Sequence, residues 1–250
     1  YNDSMFWIKL LPLLLAQQQQ KLDVRLSPGC LADGAQKTHS KLKALAPRKV
    51  CVGEGKCQSL CGKGPILIQN ERRVLKYMKD EKLVPFLQSC VDDDDEEEDW
   101  VLPDGLIEGY DLVVEGMELL SKKKYLEASQ NLKEGIEKAL EPAKTYGSDM
   151  EWMVQAHRSL ADALLAQNNA NNDDAFYSIQ VALQLDPKDS LSYETLIRIY
   201  QADRNEKGEY QALQALLFDL PEPTSPPRDV ANRRRELEFR LKSLDSKLKK

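Results

Sequence analysis

The chain has 250 residues, enough for one large domain or two small ones, and its apolar (42%) and charged (30%) fractions suit a folded protein with a helical bias. The net charge of −6 is unevenly distributed, because residues 92–99 (DDDDEEED) carry −8 and the rest of the chain sums to +2. Neither half of the chain has the sustained basic surface that nucleic-acid binding requires. The number of cysteines, five, is odd and argues against a secreted domain that is stabilised by disulfides.

The chain begins with an apolar arm, residues 1–21. Its segment MFWIKLLPLLLA (5–16) is interrupted by Lys9 and Pro12 and is too short for a transmembrane helix, which needs about 20 residues. We expect this arm to contact a membrane surface or a partner, to be the remnant of a targeting sequence, or to pack on its own domain. The glutamines at 17–20 are predicted to form a polar spacer.

A small domain is predicted at 22–91, where strand patterns alternate with helical ones. A strand (LDVRL), a helix (LADGAQKTHSKLKALA), a second strand (RKVCV), a hairpin (ILIQ and VLKYM) and a short helix (DEKLVPFLQSC) follow one another. This β-α-β-β-β-α order predicts a small open sheet with helices against it. The apolar stripe of the longer helix is predicted at Leu31, Ala35, His39, Leu42 and Leu45.

The acidic run lies in a predicted linker at 92–101. Eight like charges repel one another, so such a block is usually solvated, and binding of a basic partner is the alternative. No strand pattern follows between 102 and 220, where helices are predicted in three pairs joined by short turns. Their bounds are 104–121, 124–141, 149–168, 172–185, 189–202 and 206–219.

The last predicted segment, 221–250, consists of a proline-rich stretch (PEPTSPP) and one amphipathic helix from residue 228. This helix holds nine basic and four acidic residues, so its outer face is positive. We expect it to cap the helical array, to reach another subunit, or to meet the acidic run. Its apolar stripe is predicted at Val230, Leu237, Leu241, Leu244 and Leu248.

Small, aromatic and other apolar residues recur at matching positions in three successive helix pairs. They are Gly116, Tyr125, Ala128 and Leu132 in the first, Ala175, Ile179, Ala182 and Pro187 in the second, and Tyr193, Leu196, Tyr200 and Tyr210 in the third. The alanines allow the two helices of a pair to approach closely, and the proline stops the second helix.

This pattern, over about 120 residues, resembles the tetratricopeptide repeat. It departs from the family because Ala128 and Ala175 lie 47 residues apart, rather than about 34, and because Gly135 replaces a small alanine. The resemblance implies a concave surface that holds a peptide or a subunit and that is rarely catalytic. Helical hairpins of no particular family are the alternative.

Cys57 and Cys61 have a spacing that suits thiolate ligands on a tight loop. A two-iron, two-sulfur cluster needs four soft anionic ligands, normally cysteine thiolates. Gly62 and Gly64 would allow the backbone to bend close to sulfide, and Pro65 would fix the entry into the next strand. A pair of cysteines with this spacing is by itself a weak indication.

Residues 22–90 resemble the thioredoxin-like [2Fe-2S] ferredoxin domain. The motifs that carry the resemblance are Cys30-Leu-Ala-Asp-Gly-Ala and Cys57-x3-Cys61-Gly-Lys-Gly-Pro, the second being closest to the cyanobacterial and plastid branch. The resemblance implies a cluster at Cys30, Cys57 and Cys61, for which Cys51 would have to supply the fourth thiolate. However, Arg25 stands where the family has its first cysteine, and a cation is a poor ligand. The two interpretations are a domain that kept the fold and lost the iron, and a retained cluster.

No catalytic arrangement is found: there is no nucleophile–base pair, Walker phosphate loop or metal-binding histidine motif. His157 is predicted to be a packing or surface histidine. The sequence therefore predicts an α+β two-domain protein, in which a thioredoxin-like α/β domain precedes an all-α tetratricopeptide-like domain.

We expect a non-enzymatic scaffold without a cofactor, an accessory or assembly subunit of a large organellar membrane complex, photosynthetic in kind. Its partners would be protein subunits of that complex and not nucleic acid. The thylakoid of the chloroplast is favoured over the mitochondrion because of the Cys-Gly-Lys-Gly-Pro motif. The alternative is a [2Fe-2S] electron-transfer protein, with Cys30, Cys51, Cys57 and Cys61 as ligands and the helical repeats as a docking domain.

Overall fold

The structure is a computed structural model in which the described chain is mostly helical, with a small four-stranded mixed sheet near the N-terminus followed by packed helices. The predicted arm at 1–21 (apart from its last two residues), the acidic run and the proline-rich stretch lie outside the described residues. These are 20–26, 28–32, 34–46, 50–55, 65–71, 73–76, 78, 80–91, 102–146, 150–167, 172–219 and 228–249.

The chain divides into two compact units. The first comprises Tyr1–Tyr110 and Lys138–Asp149, and the second comprises Asp111–Glu137 and Met150–Lys250. The sheet belongs to the first unit, and the division falls within two long helices of the helical half.

The sheet confirms the predicted strand order. Its strands are β1 (Gln20–Arg25), β2 (Val50–Gly55), β3 (Leu67–Gln69) and β4 (Arg73–Leu75). They are arranged in the order β2-β1-β3-β4, with β1 parallel to β2 and antiparallel to β3, and with β3 antiparallel to β4. The first two predicted strands and the two strands of the predicted hairpin therefore belong to one sheet.

Strand β1 begins at Gln20, so this glutamine is part of the sheet and not of a polar spacer. The β3–β4 turn bonds to the next residue of β1, Lys21. Asn70 and Glu71 both have positive φ (49° and 59°), and the Asn70 side chain accepts a hydrogen bond of 2.9 Å from the Lys21 backbone N–H. The Asn70 N–H in turn donates to the Lys21 carbonyl at 2.8 Å. The predicted hairpin is therefore confirmed, and its turn extends the pairing of β1.

The predicted helix at 31–46 is broken into α1 (Pro28–Ala32) and α2 (Ala35–Leu45). Gly34 adopts a φ of 88°, a left-handed conformation that ends a helix and that glycine adopts without strain. The predicted stripe is therefore wrong at Leu31, which is 43% exposed, whereas Ala35, Leu42 and Leu45 are buried and His39 is half-buried. The buried face of α2 consists of Ala35, Thr38, Lys41, Leu42, Ala44 and Leu45.

Strand β2 continues through the glycines that followed the predicted strand. A Cβ atom at Gly53 would lie 2.8 Å from a carboxylate oxygen of Asp23, and one at Gly55 would lie 3.2 Å from the Asp23 Cβ and 3.5 Å from the Arg25 Cγ. The side chains of β1 therefore occupy the space above these two glycines. This close approach allows the parallel pairing to extend as far as Arg25 and Gly55.

The first unit also contains α3 (Asp80–Val91), the predicted short helix. In the helical half, the predicted helices agree with the structure to within five residues at each end. The observed helices are α4 (Asp104–Ser121), α5 (Tyr125–Tyr146), α6 (Glu151–Ala166), α7 (Asn172–Leu185), α8 (Ser190–Ala202), α9 (Glu206–Gln214), which continues as a π-helical turn (Ala215–Asp219), and α10 (Arg228–Leu248).

Helix α5 runs past its predicted end at residue 141, because Pro142 does not stop it. Proline cannot donate to the carbonyl four residues earlier, here that of Lys138. Gly105 of α4 lies against this place, since a Cβ atom there would be 3.1 Å from the Lys138 oxygen and 3.5 Å from the Pro142 ring. Helix α4 thus packs on α5 at the point where α5 continues past Pro142.

The second unit has a core formed by α6 to α10. Fully buried side chains of α7, such as Ala175 and Ile179, pack with residues of α8 and with Leu213 of α9 and Leu244 of α10. The Phe176 and Tyr200 rings lie 5.7 Å apart at a tilt of 57°, a favourable aromatic geometry that joins α7 to α8. Among the described residues, no helix combines the length and the apolar character that crossing a bilayer would require.

Candidate functional site

Helices α6 and α8 are neighbours although α7 separates them in the chain. They contact each other, and each also contacts α7. The Asp162 carboxylate on α6 accepts hydrogen bonds from the Arg198 guanidinium (2.6 Å) and the Thr195 hydroxyl (3.3 Å) of α8. The first helix of one pair is thus fastened to the first helix of the next by charge-assisted bonds.

A second ion pair joins α6 to the start of α8. The Arg158 Nη1 atom lies 2.7 Å from the Asp189 Oδ2 atom, and both side chains are more than four-fifths buried. Asp189 is also the N-cap of α8, because its carboxylate accepts from the Ser192 backbone N–H at 3.1 Å. One carboxylate therefore both caps a helix and fixes the position of the neighbouring pair.

The next connection is between α5 and α6. Gln167, just after α6, donates from Nε2 to the Tyr125 carbonyl (3.1 Å) and to the Ser129 hydroxyl (2.9 Å) at the start of α5. Polar bonds of this kind therefore recur between successive helix pairs along the second unit.

The small residues of the repeated pattern lie where helices approach closely. Ala128, Ala175 and Ala182 are fully buried. A Cβ atom at Gly116 would lie 2.7 Å from the Leu132 side chain of the paired helix. Helix α7 ends at Leu185, two residues before the proline of the pattern. The roles expected of these residues, close approach and helix termination, fit this geometry.

Helix α10 packs on the end of the helical unit through its leucines and its charges. Leu244 is fully buried, and Leu237 and Leu241 are half-buried against the core. The Arg240 guanidinium makes two bonds to the Glu209 carboxylate of α9, at 2.7 and 2.8 Å. The helix thus caps α9, one of the arrangements expected from the sequence, although Leu248 at its end is 45% exposed.

Glu209 is the most deeply buried acidic side chain of this contact, with 2% of its surface exposed. Its hydrogen bonds from Arg240 lower the pKa of the carboxyl group, and Gln201 donates a further bond of 2.8 Å. Glu209 is therefore held ionised within the cap. A second ion pair, Lys247 with Glu206 at 2.6 Å, lies at the exposed edge.

A cleft of about 170 Å³ opens between α8, α9 and α10. This volume is below the roughly 300–1,000 Å³ of most small-molecule sites, so the cleft suits a single side chain of a partner better than a cofactor. Its charged rim is largely neutralised within the protein, since Arg198 pairs with Asp162 and Arg240 with Glu209. The residues that line it are Glu194, Ile197, Arg198, Gln201, Leu213, Arg233, Glu236, Leu237 and Arg240.

His157, predicted to be a packing or a surface histidine, is a buried residue of α6, and 6% of its surface is exposed. Neither ring nitrogen has a hydrogen-bond partner among the described residues. Burial lowers the pKa of His157 to about 4, because the charged form would lose its hydration. The ring is therefore neutral at pH 7.

The cysteines of the predicted cluster are only partly described. Cys30 is buried in α1, after the carboxyl end of β1, whereas Cys51 is exposed near the start of β2. The carboxyl end of β2, at Gly55, lies four positions after Cys51, a distance of about 13 Å along a strand. Cys57 and Cys61 lie outside the described residues. This geometry does not favour a ligand set that includes Cys51.

Arg25, at the position of the family's first cysteine, is a buried residue of β1. Its exposed fraction is 1%, and its Nε and Nη2 atoms have no hydrogen-bond partner among the described residues. Among all the residues that the structure describes, no three His, Cys, Asp or Glu side chains are grouped so as to hold a metal ion. The described residues therefore do not by themselves fit an iron–sulfur cluster.

The ion pairs that connect the helices could not be predicted from the sequence. Asp189 could have been recognised as an N-cap, because it follows the proline turn and precedes an apolar helical pattern. Its pairing with Arg158, and that of Glu209 with Arg240, join residues 31 positions apart and depend on packing. Comparisons of the chain with protein-family models, with curated proteins and with solved structures give no match.

Proposed function

We propose that this chain is a non-enzymatic scaffold for protein–protein contact, in which stacked helix pairs of tetratricopeptide-like form hold a partner. The observation that carries the proposal is the bonding of α6 to α8 by Asp162 and Arg158. Helices α6 and α8 are the first helices of two successive pairs. When the first helices of successive pairs are neighbours, each further pair extends the stack, and the first helices together form one long surface. Such a surface suits an extended peptide or a subunit.

The sheet supports the second part of the proposal, a thioredoxin-like module that serves as another docking element. Its strand order and its parallel β1–β2 pair, followed by a hairpin, are compatible with that fold. The proposed setting, a large organellar membrane complex with the chloroplast thylakoid before the mitochondrion, rests on the motif resemblance alone. We propose protein subunits of that complex as the partners.

The proposal is tested by affinity capture. The tagged full chain is incubated with detergent extracts of chloroplast and mitochondrial membranes, and the recovered proteins are quantified by mass spectrometry. We expect the subunits of one membrane complex in constant ratio from one of the two extracts. A control chain with Asp162→Lys, which replaces the α6–α8 attraction by repulsion, should recover less of the same set. Recovery of no constant set by the unmodified chain would refute the scaffold.

The alternative function is electron transfer through a [2Fe-2S] centre. One observation favours it: β1 and β2 are parallel neighbours, and Cys30 and Cys57 follow their carboxyl ends by five and two residues. When bound, such a cluster would supply one-electron redox chemistry. Because Arg25 occupies the first ligand position, we expect the purified protein to be colourless. Stoichiometric iron with an EPR signal on reduction, abolished by Cys57→Ser, would favour the alternative, and loss of that signal in Cys51→Ser would identify the fourth ligand.

A further inference from the structure

Helix α10 presents two different faces. Its inner face carries Leu237, Leu241 and Leu244, which pack on the core of the second unit. The opposite face has a helical spacing of three to four residues, and all its members are exposed. They are Asn232, Arg235, Phe239, Lys242, Ser246 and Lys249.

Phe239 lies in the middle of this outer face, with 77% of its surface exposed. No other large apolar side chain in the described part of the chain is more exposed. Full burial of a phenylalanine is worth about 1.5–3 kcal/mol, and the fold leaves almost all of this unused. Phenylalanine is among the residues that are enriched in the cores of protein interfaces relative to the rest of the surface.

The positive charges beside Phe239 also differ from the other charges of α10 in their contacts with the described residues. On the inner side of α10, Arg234, Arg240 and Lys247 bond to Glu238, Glu209 and Glu206, respectively. By contrast, neither the Arg235 side chain, one turn before Phe239, nor the Lys242 side chain, one turn after it, forms an ion pair with a residue that the structure describes. Among the described residues of α10, the unpaired cations therefore lie on the outer face.

We propose that this outer face, Arg235–Phe239–Lys242, binds an acidic segment of a partner protein that also carries an aromatic or apolar side chain. The inference rests on the proposed scaffold function and names the surface and the chemistry of the partner. Carboxylates complement the two unpaired cations, and an apolar group covers Phe239. The complementary charge steers and orients the partner, and burial of the ring supplies the affinity.

An anionic membrane fits this surface less well than a protein does. Each basic residue near such a membrane contributes about 1 kcal/mol, and stable attachment needs a second strong apolar signal. A single phenylalanine between two unpaired cations does not supply that signal. Arg235 and Lys242 are seven residues apart, or about 10 Å at about 1.5 Å per residue, with the Phe239 ring between them. An acidic protein segment can place a carboxylate at each cation and an apolar side chain at the ring.

The test is a fluorescence anisotropy titration of the full chain with a labelled peptide, EDEDWEDED. We expect binding that weakens as salt is raised from 50 to 500 mM, roughly the range over which screening becomes strong. The double variant Arg235→Glu/Lys242→Glu should bind about tenfold more weakly or worse, and Phe239→Ala at least about threefold more weakly. Because all three side chains point away from the core, the melting temperatures should stay close to that of the unmodified chain.

Matched controls come from other helices and turns of the second unit. The double variant Lys133→Glu/Lys188→Glu makes the same change in net charge at exposed lysines, and Leu126→Ala removes an apolar side chain that is 62% exposed. Both should bind the peptide as the unmodified chain does. Equal binding by the α10 variants and the controls, or no binding by the unmodified chain, would overturn the proposal.

Two further measurements identify other occupants. Sedimentation with vesicles containing 30% phosphatidylserine, if lost in the α10 variants while peptide binding is not, overturns the protein partner in favour of a membrane. A dimer that disappears in Phe239→Ala overturns it in favour of a second copy. The affinity capture separates this inference from the proposed scaffold function. If the α10 variants recover the same constant set of subunits as the unmodified chain, this inference is refuted and the scaffold function is not. If the unmodified chain recovers no constant set, the scaffold function itself is refuted.

Discussion

At the scale of single residues, the stability of the cap depends on a carboxylate that has little access to water. Glu209 is 2% exposed, and its charge is compensated by the two bonds from Arg240 and by Gln201. Removing one partner of a buried pair leaves an uncompensated charge, which costs more than the pair itself contributes. The Arg240 side chain is 43% exposed, so water moderates this cost.

We therefore predict that Arg240→Ala lowers the free energy of unfolding by about 2 kcal/mol. The control Lys247→Ala removes the exposed pair with Glu206 and should cost less than about 0.5 kcal/mol. Urea denaturation of both variants measures the difference. Equal costs for the two would show that the Glu209–Arg240 pair contributes no more than a surface pair.

His157 makes stability depend on pH in the acidic range. Its pKa is about 4 in the folded protein and about 6.5 in an unfolded chain. Below pH 6.5 the unfolded chain takes up a proton that the folded protein does not, so stability is complete above this pH and falls as the pH decreases towards 4. The loss is about 1.4 kcal/mol per pH unit, or about 3 kcal/mol by pH 4.

In the variant His157→Leu, this slope between pH 6.5 and 4.5 should disappear, while stability at pH 7 changes little. Chemical denaturation at a series of pH values measures it. Carboxyl groups with lowered pKa values, such as Glu209, reduce the stability only at lower pH, below about 4.5. The loss of stability in that lower range should be the same in the variant and the unmodified chain, so it serves as an internal reference. An unchanged slope in the variant would mean that the ring is protonated or hydrated in the folded protein.

At the scale of elements, the helix pairs depend on close approach at small residues. Gly208 of α9 is the tightest case, because a Cβ atom there would lie 2.6 Å from the Tyr200 ring of α8. Alanine normally favours a helix over glycine by about 1 kcal/mol. Here the forced separation of the helices costs about 1–3 kcal/mol and outweighs that gain.

We predict that Gly208→Ala lowers the melting temperature of the protein. In a Tyr200→Ala background, where the ring is absent, the same substitution should be neutral or stabilising. The thermal unfolding of the four chains of this double-mutant cycle provides the coupling. A cost that is the same in both backgrounds would refute the contact between the two helices at this point.

The existence and order of the elements could be predicted from the sequence, because periods of about two and 3.6 residues identify strands and helices locally. The errors occur where a tertiary contact decides. Helix α5 passes Pro142 beside Gly105, and β2 passes Gly53 beside the Asp23 side chain. The break at Gly34 was recognisable in principle, since Asp-Gly is a common turn dipeptide.

At the scale of the whole molecule, the sequence indicated two kinds of region but not the polar bonds that order the helices. Arg158 and Asp189, for example, are 31 positions apart, and no local pattern pairs them. Only the stacking of α6 against α8 brings them to 2.7 Å. The outer face of α10 was predicted to be positive, but which of its charges remain unpaired followed only from the packing of the helix.

We propose above that the chain holds protein partners, and we expect it to carry no iron–sulfur cluster. Native mass spectrometry of the full chain, isolated without oxygen from its native source, measures both properties at once. We predict the mass of the iron-free chain bound to subunits of a membrane complex. A chain without partners whose mass includes two iron and two sulfide ions would contradict the account.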